Sequence, residues 1–229
     1  MNILIFFLSV IFFLCSVILS YKLFGKTGIY AFIGFATILA NIQACKSIEL
    51  FGIATTAGAV LYASTFLCTD ILSEMHGKKD AARAVWLGVF INVLWLVGTQ
   101  LTLLFEPSSA DYIDPSLKVV FGMVPRISAA SLISYVISQR IDVFMYHLIW
   151  KKTGSEKKGL WIRNNGSTLI SQFVDSVLFV TIAFINTVDT NIFIQILATT
   201  YIFKAIVALL DTPFAYIARK ITPIENKKD

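Results

Sequence analysis

Apolar positions in this chain come in long runs broken by short polar stretches. The runs are Asn2–Ser20, Gly28–Ala44, Ala57–Met75, Ala81–Phe105, Val124–Trp150, Gly166–Ile185 and Ile192–Ile217. About 20 such residues, rising 1.5 Å each, carry a helix across the hydrocarbon core of a bilayer. The pattern therefore predicts an all-α polytopic membrane helix bundle with seven transmembrane helices, at fewest six, in a multi-pass protein of the cell membrane. Residues 1–229 form a single integral membrane domain in this reading. The longest connection, Glu106–Met123, carries two prolines and is expected to hold a short interfacial helix.

Composition agrees: 57% of residues are hydrophobic and 14% charged, against roughly 45–50% and about 25% in soluble domains. Lys and Arg in short loops stay on the cytoplasmic side, and here they alternate. Lys22 and Lys26, then Lys78, Lys79 and Arg83, then Lys151, Lys152, Lys157, Lys158 and Arg163, then Arg219, Lys220, Lys227 and Lys228 fall in alternate connections and the tail, while the other side holds Lys46, Lys118 and Arg126. The N-terminus is expected outside and the C-terminus inside. The net charge of +5 is then an orientation signal and implies no nucleic-acid partner. The first run lacks a basic n-region and an A-x-A site, so it reads as a retained helix rather than a signal peptide. Cys15, Cys45 and Cys68 show no C-x-x-C spacing, which points to neither a disulfide framework nor a zinc site.

The polar exceptions inside the runs carry the candidate chemistry. The phrase I-S-Q-x-[IV]-D occurs twice, at Ile137–Asp142 and Ile170–Asp175. Counted at 1.5 Å per residue along adjacent antiparallel helices, Gln139 comes level with Asp175 and Asp142 with Gln172. Gln and Asp three apart share a helix face, so four polar heads are expected to converge. A carboxylate accepts two parallel hydrogen bonds and an amide both donates and accepts, which suits a planar heterocycle with adjacent N–H donors beside a carbonyl. The same residues would also serve as interhelical glue, a common use of polar groups in membranes. Ionisable residues at this depth are functional candidates by default: Asp70 and Glu74, four apart, and Asp211 on the acidic side, Arg140 and Lys204 on the basic side. Arg140 is expected to pair with Asp175 or Asp70, as an ion pair or as a ligand contact. Asn41, in the outer part of the second run, is placed for a gate. Glu74, Asp211 and Lys204 are candidates for proton coupling or gating, because unpaired buried carboxylates take up protons.

At these residues the sequence resembles the queuosine precursor transporter family, also called the vitamin uptake transporter family. The resemblance rests on "ANIQACKSI" (Ala40–Ile48), "TFLCTDILSEMHGKKDAARAVWLG" (Thr65–Gly88), "FGMVPRISAASLISYVISQRIDVFMYH" (Phe121–His147) and "WIRNNGSTLISQFVDSVLFVTIAF" (Trp161–Phe184). It implies import of 7-deazaguanine compounds, queuine or its biosynthetic intermediates, for tRNA modification. Gln139, Asp142, Gln172, Asp175, Asp70, Arg140 and Asn41 would then contact a small-molecule base, with no cofactor and no metal. The family is compared with substrate-binding subunits of energy-coupling-factor transporters, which dock an energising module through small residues of the first helix. Here the first run holds no Ala-x-x-x-Ala, only Ser16 and Ser20. A stand-alone carrier is expected, either facilitative or proton-coupled.

Intramembrane enzymes carry other signatures: G-x-G-D, G-x-S-G or H-E-x-x-H. None occurs in the chain, and no enzymatic activity is expected. A channel would show repeated rings or a Gly-rich filter, where this sequence has one compact polar layer.

Overall fold

The computed structural model describes residues 1–122, 124–153, 157–185 and 189–224. Its elements are α1 (Asn2–Ala44), β1 (Ser47–Leu50), β2 (Ile53–Thr56), α2 (Ala59–His76), α3 (Lys78–Leu103), α4 (Asp114–Gly122), α5 (Val124–Thr153), α6 (Lys157–Phe184) and α7 (Thr190–Lys220). Among the described residues, five helical stretches are long and apolar enough to cross a membrane: Asn2–Ala44, Lys78–Leu103, Asp114–Thr153, Gly159–Phe184 and Phe193–Lys220.

Two of the expected runs lie in α1, which is broken at Gly25 (φ +55, ψ −142). That backbone conformation is open to glycine and strained for residues with a Cβ. An unbroken helix of 43 residues would be about 64 Å long. Instead Asn2 Nδ2 donates to the carbonyl of Glu49, beyond the far end of α1, at 3.1 Å. The chain therefore doubles back at Gly25, and the two arms lie side by side. A second glycine, Gly77 (φ +86), is the single residue between α2 and α3.

Side-chain contacts fix the helix directions. Asp142 and Asp175 meet Ser171 and Ser138, a register that steps in opposite senses along α5 and α6 and makes them antiparallel. Tyr62, Asp70 and Glu74 of α2 meet Asp175, Thr168 and Arg163 of α6 in the same way. The turn at Gly25, the turn at Gly77 and the end of α7 share one end of the bundle: Lys26 pairs with Asp80 at 3.3 Å, Tyr21 meets His76 at 3.4 Å, and Arg219 lies 3.6 Å from Glu74. This basic end is the one the charge bias assigns to the cytoplasm; Lys227 and Lys228 lie outside the described residues.

Helix α2 is the least lipid-like of the expected spans and the most enclosed. From Ala63 to Ser73 every residue is buried, with α1, α3, α5 and α7 packed around it. A helix surrounded by other helices needs no apolar exterior, and Thr65, Thr69, Glu74 and one oxygen of Asp70 bond to α5 and α6, as polar atoms at membrane depth require.

Between α1 and α2, where the sequence suggested only a connection, an antiparallel hairpin pairs Ser47 with Thr56 and Leu50 with Ile53. Its turn residues, Phe51 (φ +55) and Gly52 (φ +78), both have positive φ, as a type I′ turn requires. Leu50 is fully buried, and the Phe51 ring stacks on Phe203 of α7 at 6.3 Å. The expected interfacial helix in the long connection is α4, which buries no residue; Met123 lies outside the described residues.

Candidate functional site

Polar side chains from α2, α5, α6 and α7 form a stack running from Tyr62 to Glu74 of α2, about 18 Å along that helix. At the end away from the basic face, Asp175 accepts from Tyr62 Oη at 2.7 Å and Ser138 Oγ at 3.0 Å, and Lys204 Nζ is ion-paired with its other oxygen. The Lys204 ammonium also sits 5.1 Å from the Tyr62 ring centroid, within cation–π range. This carboxylate is saturated.

One turn further in, Gln139 accepts from Thr69 Oγ1 and donates to Thr65 Oγ1, each at 3.1 Å. Asp142 accepts from Ser171 Oγ at 2.9 Å. Gln172 is fully buried on the same α6 face as Thr168 and Asp175, yet neither its Nε2 nor its Oε1 has a partner among the described residues. An unmade buried hydrogen bond is a penalty of about 1–3 kcal/mol per group, so this amide is either a standing defect or a ligand contact.

Deeper still, Asp70 accepts from Thr168 Oγ1 at 3.1 Å and Asp211 from Asn164 Nδ2 at 2.8 Å. The stack ends at Glu74, whose carboxylate receives Arg163 Nη2 at 2.9 Å on both oxygens and Tyr146 Oη at 2.7 Å. The Arg163 guanidinium lies over Trp150 at 4.6 Å. On the basic side of this knot an open crevice of about 480 Å³ is lined by Ser73, Glu74, Lys78, His147, Trp150 and Lys151 among others. Glu74, which lines the crevice and is bonded to Arg163 and Tyr146, thus stands between the stack and the crevice.

The four residues of the repeated phrase lie together at the α5–α6 interface, but the bonds that cross it are made by its serines. Ser138 of one copy reaches the aspartate of the other, and Ser171 reciprocates. Asp70, Asp211, Lys204 and Glu74 belong to the same stack. Arg140 does not: its side chain is exposed, with the guanidinium 4.6 Å from the Trp86 ring of α3, and Lys204 is the partner of Asp175 instead. The physical reason is rotation, since Arg140 is about 100° around the helix from Gln139. Asn41 donates to Thr37 O at 2.8 Å and Asn92 Oδ1 at 3.5 Å; none of its bonds reaches α5 or α6. Arg163, grouped with the loop cations by sequence, is fully buried. The sequence reasoning also missed Tyr62, Thr65 and Thr69. Their spacing of three and four marks one face of α2, a signal that was legible.

A bundle of membrane-spanning helices with four buried aspartates in its interior, stacked toward an open crevice at one end, has the construction of a multi-pass membrane transporter for small molecules. The chain belongs to the family described as "Putative vitamin uptake transporter", whose model matches residues 56–218. It is 40% identical over 211 residues to a "Probable queuosine precursor transporter" of Bacillus subtilis, covering 92% of each chain. It is 26% identical to the "Queuosine precursor transporter" of Escherichia coli, covering 71% of this chain and 72% of that one. A "Probable queuosine precursor transporter" of Haemophilus influenzae is 24% identical over 76% of this chain and 72% of its own. No solved structure matches.

Proposed function

We propose that this protein imports queuosine precursors, 7-deazaguanine bases such as queuine or its intermediates, across the cell membrane as a stand-alone carrier, with the base held by Gln172 and Asp142 in the layer that Gln139 and Asp175 frame. The observation that carries the reading is the Gln172 amide, buried with donor and acceptor both unpartnered in a layer where Gln139 is fully engaged. A guanine-like edge offers what is missing: a carbonyl for the Gln172 N–H and a ring N–H for its oxygen, while the adjacent amino group reaches the neighbouring carboxylate of Asp142. The relatives' names supply the chemical class, and the acceptor-rich layer is compatible with it. The test is uptake of labelled queuine, with queuosine formation in tRNA as the second readout, in a host lacking its own importer and synthesis route. The protein is expected to restore both, and Gln172→Leu, inserted at normal levels, to restore neither.

A further inference from the structure

We propose that Asp70 and Asp211 jointly hold one exchangeable proton, which enters from the outer phase with the substrate and leaves to the cytoplasm, making the carrier a proton symporter. The direction of coupling rests on the import reading above; the proton site itself does not. Both side chains are buried, at 2% and 1% exposure. Each carboxylate has one oxygen served, by Thr168 and by Asn164, and one that receives no hydrogen bond from any donor among the described residues. Asn164 is fully buried, lines the narrow cleft beside Asp70 and Glu74, and its Oδ1 also lacks a partner. The donors Thr168 and Asn164 are four residues apart on α6, so the two carboxylates are held one turn apart along one face of that helix, and Asp70 Oδ1, Asp211 Oδ2 and Asn164 Oδ1 are left without a donor among the described residues. A carboxyl that takes up a proton becomes a donor, and adjacent carboxylates cannot all be ionised.

The charges around the pair do not neutralise it. Asp142 and Asp211 are the acidic neighbours of Asp70, and Tyr146, which lines the same cleft, donates to Glu74. Lys204 is ion-paired with Asp175, while Arg163 and Arg219 lie on Glu74. From α1 and α3, Tyr30, Lys26, Asp80 and Arg83 meet one another at the basic end, and Tyr21 meets His76. A metal ion is a poor alternative: among the described residues no group of three or more His, Cys, Asp or Glu side chains converges to hold one. A proton needs no such shell.

Asp142 links the proton pair to the base. Base N–H groups bonded to Asp142 hold it ionised, and an ionised Asp142 favours a proton on the neighbouring pair. By reciprocity the proton strengthens base binding by the same factor. Release of both ligands to the basic-end crevice requires the Glu74–Arg163–Tyr146 knot, which stands between the stack and that crevice, to part.

Two measurements on the full-length protein test this. Infrared spectroscopy of the purified carrier near neutral pH, without substrate, should show a protonated carboxyl band that shifts in D2O. The band should vanish in Asp70→Asn/Asp211→Asn and persist in Asp114→Asn, a surface control. Should the double variant fail to fold, the wild-type band titrated across the neutral range gives the same answer. In proteoliposomes, labelled queuine should accumulate against its gradient when the outside is acid, by up to about tenfold per pH unit for one proton per base. Absence of the band overturns the proton site whatever the substrate. Uptake that follows a sodium gradient, or ignores the pH gradient, overturns the coupling. Failure to bind queuine with the band intact sinks the substrate reading and leaves the proton site standing.

Discussion

The two copies of I-S-Q-x-[IV]-D, on α5 and α6, share their letters and differ in what surrounds them. In both, the isoleucine and the variable position face outward: Ile137 and Ile170 are 39% and 44% exposed, and Arg140 and Phe173 are exposed beside them. In both, the serine holds the aspartate of the other copy. The aspartates then diverge. Asp175 meets Tyr62 and the Lys204 ammonium, whereas Asp142 lies among Asp70 and Asp211 with no cation bonded to it among the described residues. The glutamines diverge in the opposite sense: Gln139 is bonded to two threonines of α2, and Gln172 to nothing described. One phrase thus gives a bonded glutamine beside an aspartate that has hydroxyl donors but no cation in the first copy, and an ion-paired aspartate beside an unpartnered glutamine in the second, and the other helices packed against each copy decide which residue is which.

The largest expected effect follows from orphaning a buried charge. Asp175→Asn strands the Lys204 ammonium, and breaking a buried ion pair from one side costs about 3–5 kcal/mol. Thermal unfolding in detergent should fall accordingly, and Asp175→Asn/Lys204→Met should recover part of the loss. Equal stability of the single and double variants would show that the pair is not the anchor. Asp142→Asn orphans no cation, so its melting temperature should stay near wild type. Its queuine affinity should fall at least about tenfold, because an acceptor facing ligand N–H groups becomes a donor.

The glutamines sharpen the contrast at intermediate size. Gln139→Leu removes the cross-helix partner of Thr65 Oγ1 and the shorter of the two that Thr69 Oγ1 has on α5, and is expected to lower stability by about 1–2 kcal/mol. Gln172→Leu removes an amide with no partner among the described residues, so stability should hold or rise while queuine binding is lost. If both variants lose stability equally, the amide of Gln172 is interhelical glue and the base-binding reading fails. Smaller effects belong to the serines: Ser138→Ala and Ser171→Ala should each cost about 0.6 kcal/mol, similar because the two bonds are reciprocal. Arg140→Gln removes an exposed cation–π contact of similar size, about 0.5–1 kcal/mol, and has the smallest effect on function, leaving queuine uptake near wild type. A strong uptake defect with normal insertion would return Arg140 to the site.

The runs of apolar residues, hence the long helices, and the depth of the polar phrases along them were legible in the amino-acid order alone, because both depend only on rise per residue and on the exclusion of unpaired backbone from lipid. So was the juxtaposition of the two phrases, since antiparallel neighbours of known length have a fixed register. Azimuth and company came from the packing of the folded bundle. It turned Arg140 outward onto Trp86 and brought Lys204, 29 residues away in sequence, onto Asp175. It drew Arg163 out of a presumed loop onto Glu74 and folded α1 back at Gly25. Which of several buried acids receives a cation depends on how helices distant in sequence rotate against one another, and that rotation is set by the packing of the whole bundle rather than by any local run of residues.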